Sequence, residues 1–426
     1  MHIPIDSYRL ANGLLVTLSE DHSAPIVAVN LWYHVGSANE RPGRTGFAHL
    51  FEHMLFQGSA NVKANEHFEI IQRAGGTLNG STWLDRTNYF ETVPAHFLAV
   101  ALWLEADRMG GLLPAMTQEK LDTQRDVVKN ERRWSVDNQP YGTWWERLPA
   151  LAFPEQHPFH HSLIGSFEDL DAARLEDITA FFRRYYAPDN AVLTIAGDFE
   201  HAHARLLVDR YFGPIAANGN VPPLPAMDVP ERFGGWRRET VDDDVALPRL
   251  FLAFRSPRLG TAGYYAASVC GAILGLRTGS RLHRSLVREQ RLAAECTAFT
   301  FDLTKACDLL VLDVTGRPET RAEQLERAVA VEVDLLRATG VTAGEVARAV
   351  ALIETTIVSA MQSAGDRADR LSQFACYFGD ARMANTQVDN YRSVSVDAVN
   401  QFAQHYLGED NRASLSFVPR SASTTS

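Results

Sequence analysis

Residues 46–59, GFAHLFEHMLFQGS, decide how this chain is read. Wound at about 3.6 residues per turn, the stretch sets His49 and His53 at i and i+4, one turn apart on a single helix face. Glu52 stands at i+3 from His49, on the same side and next to His53. Two imidazoles so spaced suit one zinc ion, and the glutamate beside them can reach a reacting water without being a ligand. Leu50, Phe51, Met54, Leu55 and Phe56 predict that the helix is buried in the dry wall such a site needs. The order His-x-x-Glu-His is the inverted form of the zincin motif. Outward from it, 12–18 (NGLLVTL) and 25–35 (PIVAVNLWYHV) alternate as strands between turn formers. After the Ala74-Gly75-Gly76 turn, 77–83 and 87–93 read as a hairpin, then 96–109 and Gln118 to Trp134 as helices and 191–199 as a strand.

Two histidines leave a catalytic zinc one protein ligand short, and a carboxylate on another element is the natural completion. Glu131 follows the apolar pair Val127-Val128 in the Gln118–Trp134 helix, but it also stands among Lys129, Arg132 and Arg133. Spacing alone leaves it open between a third ligand and a surface charge.

The whole chain sets the frame for this site. Its 426 residues point to two or three domains, and 46% hydrophobic with 22% charged residues excludes wholesale disorder, collagen and coiled coil. With 41 Lys+Arg against 52 Asp+Glu the net charge is −11, which argues against nucleic acid or an anionic membrane as the main partner. No apolar run approaches the ~20 residues that span a bilayer. The start, MHIPIDSYRL, carries no leader signature and fits a cytosolic protein or an exported one whose leader has been removed. Cys270, Cys296, Cys307 and Cys376 lack CxxC spacing and read as reduced core thiols.

Residues 218–235, NGNVPPLPAMDVPERFGG, are the best linker candidate. Beyond them the second half opens as the first does, with the acidic stretch Asp242–Asp244, a strand at 249–254 and a helix from Ala262 to Leu274. This weak repeat predicts two related α+β domains, 1–217 with the metal site and 236–426 without one, followed by the polar tail SASTTS.

The segments NGL (12–14), 46–59, AGGTLNGSTWLDRTNYFETVP (74–94), QRDVVKNERRWSVDNQPYG (124–142), YYAPDNAVLTIAGDF (185–199) and, more faintly, LGLRTGSRLHRSLVREQRLA (274–293) together resemble the M16 metallopeptidases, the pitrilysin or mitochondrial processing peptidase family. The resemblance implies a mainly antiparallel sheet packed on helices in each domain, one zinc per chain, and Glu131 as third ligand beside His49 and His53. It implies an endopeptidase in which Glu52 is the general base, with extended peptides docking on a sheet edge formed by Asn79, Gly80, Ser81, Thr82 and Trp83. Asn79 also reads as an edge asparagine satisfying its own backbone.

Two positions depart from the family pattern. Gln124 stands two turns before Glu131, where many members have a second glutamate. Arg288 matches a substrate-gripping arginine, but Glu295 occupies the place of the tyrosine seven residues on, and a glutamate is no neutral donor to an oxyanion. The resemblance therefore implies a half-length chain that borrows an Arg/Tyr pair from a homologous subunit lacking HxxEH, with a homodimer as the other arrangement. It tips the compartment towards the periplasm. The alternatives are a non-catalytic scaffold subunit of the same fold and a processing peptidase that removes basic targeting sequences.

Overall fold

The computed structural model describes residues 3–222, 224 and 227–420. The tail 421–426 and Pro223, Pro225 and Ala226 of the expected linker lie outside the described residues. The fold is α+β with two sheets. The first contains β1 (Asp6–Arg9), β2 (Leu15–Glu20), β3 (Ile26–Tyr33), β4 (Thr77–Thr82), β5 (Thr87–Pro94) and β6 (Ala191–Gly197), in the order β1-β2-β6-β3-β5-β4. All neighbours are antiparallel except β2 and β6. The second contains β7 (Arg237–Asp243), β8 (Arg249–Ser256), β9 (Ala293–Thr300), β10 (Asp308–Gly316) and β11 (Ala413–Pro419), in the order β7-β11-β8-β10-β9. Again one pair, β7 with β11, is parallel and the rest are antiparallel. The five strands from β2 to β4 in the first sheet thus repeat the order and directions of the second, which is the physical content of the weak sequence repeat.

By internal contacts the chain forms two compact units: 1–132 with 161–225 and 358–386, and 133–160 with 226–357 and 387–426. A division at 217 and 236 is therefore crossed twice, by 133–160 and by 358–386. The second crossing supplies the first unit with the helix Ala364–Phe378, which lies on β3 and β6. Small residues permit the close approach: Ala364 and Ala368 pack on Ala28 and Ala196. Asp369 Oδ1 accepts hydrogen bonds from Asn30 Nδ2 at 3.1 Å, Trp32 Nε1 at 3.1 Å and Asn88 Nδ2 at 3.2 Å. Asn30, the one polar interruption of the β3 run, is thereby satisfied in the interior.

Helices α1 (Phe47–Met54), α2 (Glu66–Arg73), α3 (Leu98–Gly111) and α4 (Gln118–Arg132) complete the site-bearing part. Between α2, α3 and β5 lies a buried charge cluster. Arg108 pairs with Glu105 and stacks on Tyr89 with its guanidinium 4.1 Å from the ring centroid, while His67 Nε2 lies 3.4 Å from Glu91 Oε2. Burial pushes the Glu91 and Glu105 carboxyls from 4.5 to about 7 against the pull of Arg108, and burial pushes His67 down to about 3. A carboxyl raised in the folded state contributes stability that is present below its unfolded value and lost as pH climbs towards its folded one. Glu91→Gln should therefore gain on wild type in stability as pH rises from 4.5 to 8. Denaturant unfolding of both proteins at the two ends of that window checks this, and a pH-independent difference would refute it.

The four cysteines are unpaired, and burial raises the thiols of Cys270 and Cys307 to about 12, as inert core thiols require. Among the described residues no helix is long and apolar enough to cross a membrane.

Candidate metal centre

The glycine before α1 is dictated by geometry. Gly46 has φ +82°, and a Cβ there would come within 2.4 Å of the Ile164 carbonyl oxygen. The buried Glu40 carboxylate accepts from Gly46 N at 2.9 Å and Ala48 N at 2.7 Å, meeting two of the helix's unpaired amides and its positive end. His161 Nε2 holds the same carboxylate at 3.0 Å. Phe47, Ala48, Leu50, Phe51 and Met54 are buried, so the helix is fixed both at its start and along its apolar face.

That leaves His49 and His53 on one side, their ring centroids 4.8 Å apart. On α4, Leu121, Gln124 and Val128 are buried, and Glu131 continues their row. Its carboxylate meets both imidazoles: Oε2 lies 3.2 Å from His53 Nε2 and Oε1 3.7 Å from His49 Nε2. One donor atom from each of the three residues falls within 4.8 Å of the others. The structure thus brings Glu131 to the histidines across a separation that spacing left open.

The electrostatics follow from this packing. Burial pushes His49 down to about 4, aided by the charge on His53 and opposed by Glu131. Burial acts the same way on His53, but the hydrogen bond and charge of Glu131 outweigh it and raise that ring. Burial opposes ionisation of Glu131, and the His53 hydrogen bond with the two imidazole charges overcomes it, so the carboxyl stays below its usual range. Gln124 is buried, lines the same cleft, and its amide adds to the upward pull on His53.

Glu52 lies across the cleft from Glu131, against β4. Thr82 Oγ1 donates to Glu52 Oε2 at 2.5 Å. The Glu52 carboxyl is raised by burial, with the Thr82 hydrogen bond opposing. Strand pleating sends alternate residues of β4 to opposite faces. Gly80 and Thr82 face α1, and a Cβ on Gly80 would stand 2.9 Å from Glu52 Oε1. The Ser81 hydroxyl donates to Asn88 Oδ1 at 2.6 Å, with Arg86 NH1 also on Asn88 at 2.9 Å. Asn79 Oδ1 accepts from Gly80 N at 2.9 Å while its side chain still lines the cleft. Of the residues expected to touch a peptide, Ser81 and Thr82 direct their hydroxyls to protein partners, while both are half-buried and line the cleft. What β4 offers is its outer backbone edge, since among the described residues it pairs with β5 alone.

The open cavity over His49, His53 and Glu131 measures about 540 Å³ and is lined on its apolar side by Phe56, Phe68, Val127 and Leu163. Phe68, Val127, Leu163 and the polar Gln57 and Asn65 carry no local sequence signal that marks them as lining, because four separate segments supply them. In the second unit, Arg288 is exposed on the π-helical turn His283–Glu289, and Glu295 is exposed on the edge strand β9, accepting from Thr315 Oγ1 at 3.3 Å.

Two imidazoles one turn apart, a glutamate beside them and a carboxylate from a second helix make the donor set of the inverted-motif metallopeptidase class. The family model described as "Insulinase (Peptidase family M16)" matches residues 15–162, which hold all four residues, and "Peptidase M16 inactive domain" matches residues 172–353. The Zinc protease PqqE of Helicobacter pylori is 29% identical over 371 residues, 87% of this chain and 83% of that protein. The mitochondrial-processing peptidase subunit beta of Blastocladiella emersonii is 24% identical over 423 residues, 96% of this chain and 88% of that one. The crystal structure of a protease from Helicobacter pylori superposes with a TM-score of 0.91 at 27% identity, covering 98% of this chain and 100% of that one. The chain belongs to peptidase family M16.

Proposed function

We propose that the chain is a zinc-dependent endopeptidase acting on extended peptides or small unfolded proteins. The observation that carries this reading is the convergence of His49, His53 and Glu131 beside a glutamate that is held apart from them. The donors fit zinc: two imidazole nitrogens and one carboxylate oxygen, with Nε2 of His53 at 3.2 Å and Nε2 of His49 at 3.7 Å from the Glu131 carboxylate. His49, His53 and Glu131 would hold the ion, one per chain. A zinc ion there supplies a Lewis acid that acidifies water and polarises a carbonyl.

The chain's own residues do the rest. A peptide added to the outer edge of β4 gains backbone hydrogen bonds and lies beside the cleft. Glu52, raised by burial, takes the proton of the attacking water at Oε1 and returns it to the departing amine nitrogen. The Phe56, Phe68, Val127 and Leu163 wall excludes water and receives an apolar side chain.

A homologous half-length subunit completes the site in this reading, because Arg288 is present while Glu295 stands where a neutral donor would be needed. A presequence-processing role is the second reading, favoured by the likeness to the mitochondrial-processing peptidase subunit and by the −11 charge, which suits basic peptides. The test is hydrolysis of a quenched unstructured peptide by the zinc-loaded chain, alone and co-expressed with a half-length homologue lacking HxxEH. Turnover only with the homologue supports the divided site, and turnover alone overturns the division. Turnover in neither case, including with a basic presequence peptide, overturns the peptidase reading in favour of a scaffold.

A further inference from the structure

We propose that Thr82 is a positioning residue for the base: its hydroxyl, donating to Glu52 Oε2, holds that carboxylate so that Oε1 faces the cleft beside the side-chain-free Gly80. This rests on the reading of Glu52 as general base and deepens it, replacing a substrate contact by Thr82 with a contact to the catalytic carboxylate.

Three observations support the role. A threonine hydroxyl has one hydrogen to donate, and at 2.5 Å it is committed to Glu52, leaving none for a peptide carbonyl. The two Glu52 oxygens stand in different surroundings. Oε2 is tied to Thr82, whereas Oε1 lies where a Gly80 side chain would be, so the missing Cβ leaves one oxygen uncovered. Thr82 is itself held from several directions. It pairs with Thr87 across the hairpin, and Thr87 Oγ1 donates to Val35 O at 2.8 Å. The turn that follows is pinned by Ser37 N to Trp83 O at 3.2 Å and Ala38 N to Leu84 O at 2.7 Å. Those bonds need Gly36, where a Cβ would stand 2.3 Å from Trp83 O.

A carboxylate of three rotatable bonds, buried and with one oxygen fixed by a strand, loses most of its rotamer freedom before substrate arrives. The strand that fixes it is also the edge on which the peptide would dock. Register of the scissile bond and orientation of the base are then set by the same six residues, Thr77–Thr82.

The experiment compares Thr82→Val, which keeps the shape and removes the donor, with Thr82→Ser, which keeps the donor, in the active preparation. Thr82→Val should lower kcat about 10- to 100-fold, the kinetic equivalent of one hydrogen bond to a charged group, with KM within about twofold and zinc content unchanged. Thr82→Ser should recover most of that loss. Thr82→Ala makes the same comparison if Thr82→Val does not fold. Wild-type kcat in Thr82→Val, or a loss confined to KM, overturns the proposal, as does a serine variant no better than valine. Glu52→Gln is assayed beside them: if it stays active the general-base reading has failed, whereas if it is inactive and Thr82→Val is not impaired, only the positioning role has failed.

Discussion

Replacing Glu52 with glutamine should lower peptide hydrolysis about 10³-fold while the protein keeps its zinc and its stability. Glutamine fills the same space between α1 and β4, and its amide still accepts from the Thr82 hydroxyl, so the packing survives. What disappears is the ability to take and return a proton. Glu52 points to β4 and not to the His49, His53 and Glu131 cluster, which is why metal retention and activity should separate. Metal analysis and single-turnover hydrolysis on the same preparation check the pair of outcomes. Loss of zinc in this variant would place Glu52 among the ligands, against the geometry.

Glu131→Gln should do the reverse, taking the metal away. The substitution removes the charge that both imidazoles face at 3.7 and 3.2 Å and weakens a donor that zinc prefers as carboxylate. Loss of a ligand should cost at least the ~100-fold in affinity that loss of a supporting partner costs. At a zinc concentration of about 1,000 times the wild-type Kd, binding stabilises wild type by about 4 kcal/mol, and the variant by only about 1.4 kcal/mol. Denaturant unfolding with and without zinc reads both values. Equal zinc-induced stabilisation in the two proteins would remove Glu131 from the site.

The two halves of the site differ in how openly the sequence displays them. His49, Glu52 and His53 are legible because a helix brings positions i, i+3 and i+4 to one face, and the apolar residues between them say which way the helix is buried. Glu131 is not, since the run from Arg125 to Arg133 is dense in charge and its burial is decided by α1 packing on α4. With the structure known, Leu121, Gln124, Val128 and Glu131 form a recognisable row of helical spacing. The tie from Thr82 to Glu52 is set wholly by tertiary structure, since β4 must first pair with β5 and then cover α1.

The same limit explains the fold. Strands β2 to β6 and helices α1, α3 and α4 could be read from period and turn chemistry. The placement of 364–378 on the first sheet could not, because an amphipathic pattern shows that a face is buried without saying what buries it. Asn30 was the trace of that contact, a polar residue in an apolar strand whose partner, Asp369, is 339 residues away.

The most direct measurement is to strip the chain of metal, add zinc in steps, and follow bound zinc and cleavage of a quenched unstructured peptide in one titration, with a half-length homologue present. Hydrolysis that is absent in the stripped protein, rises in proportion to bound zinc and levels at one equivalent per chain is the predicted result. Hydrolysis that persists without metal, or one bound equivalent with no hydrolysis of any peptide tried, would contradict the account.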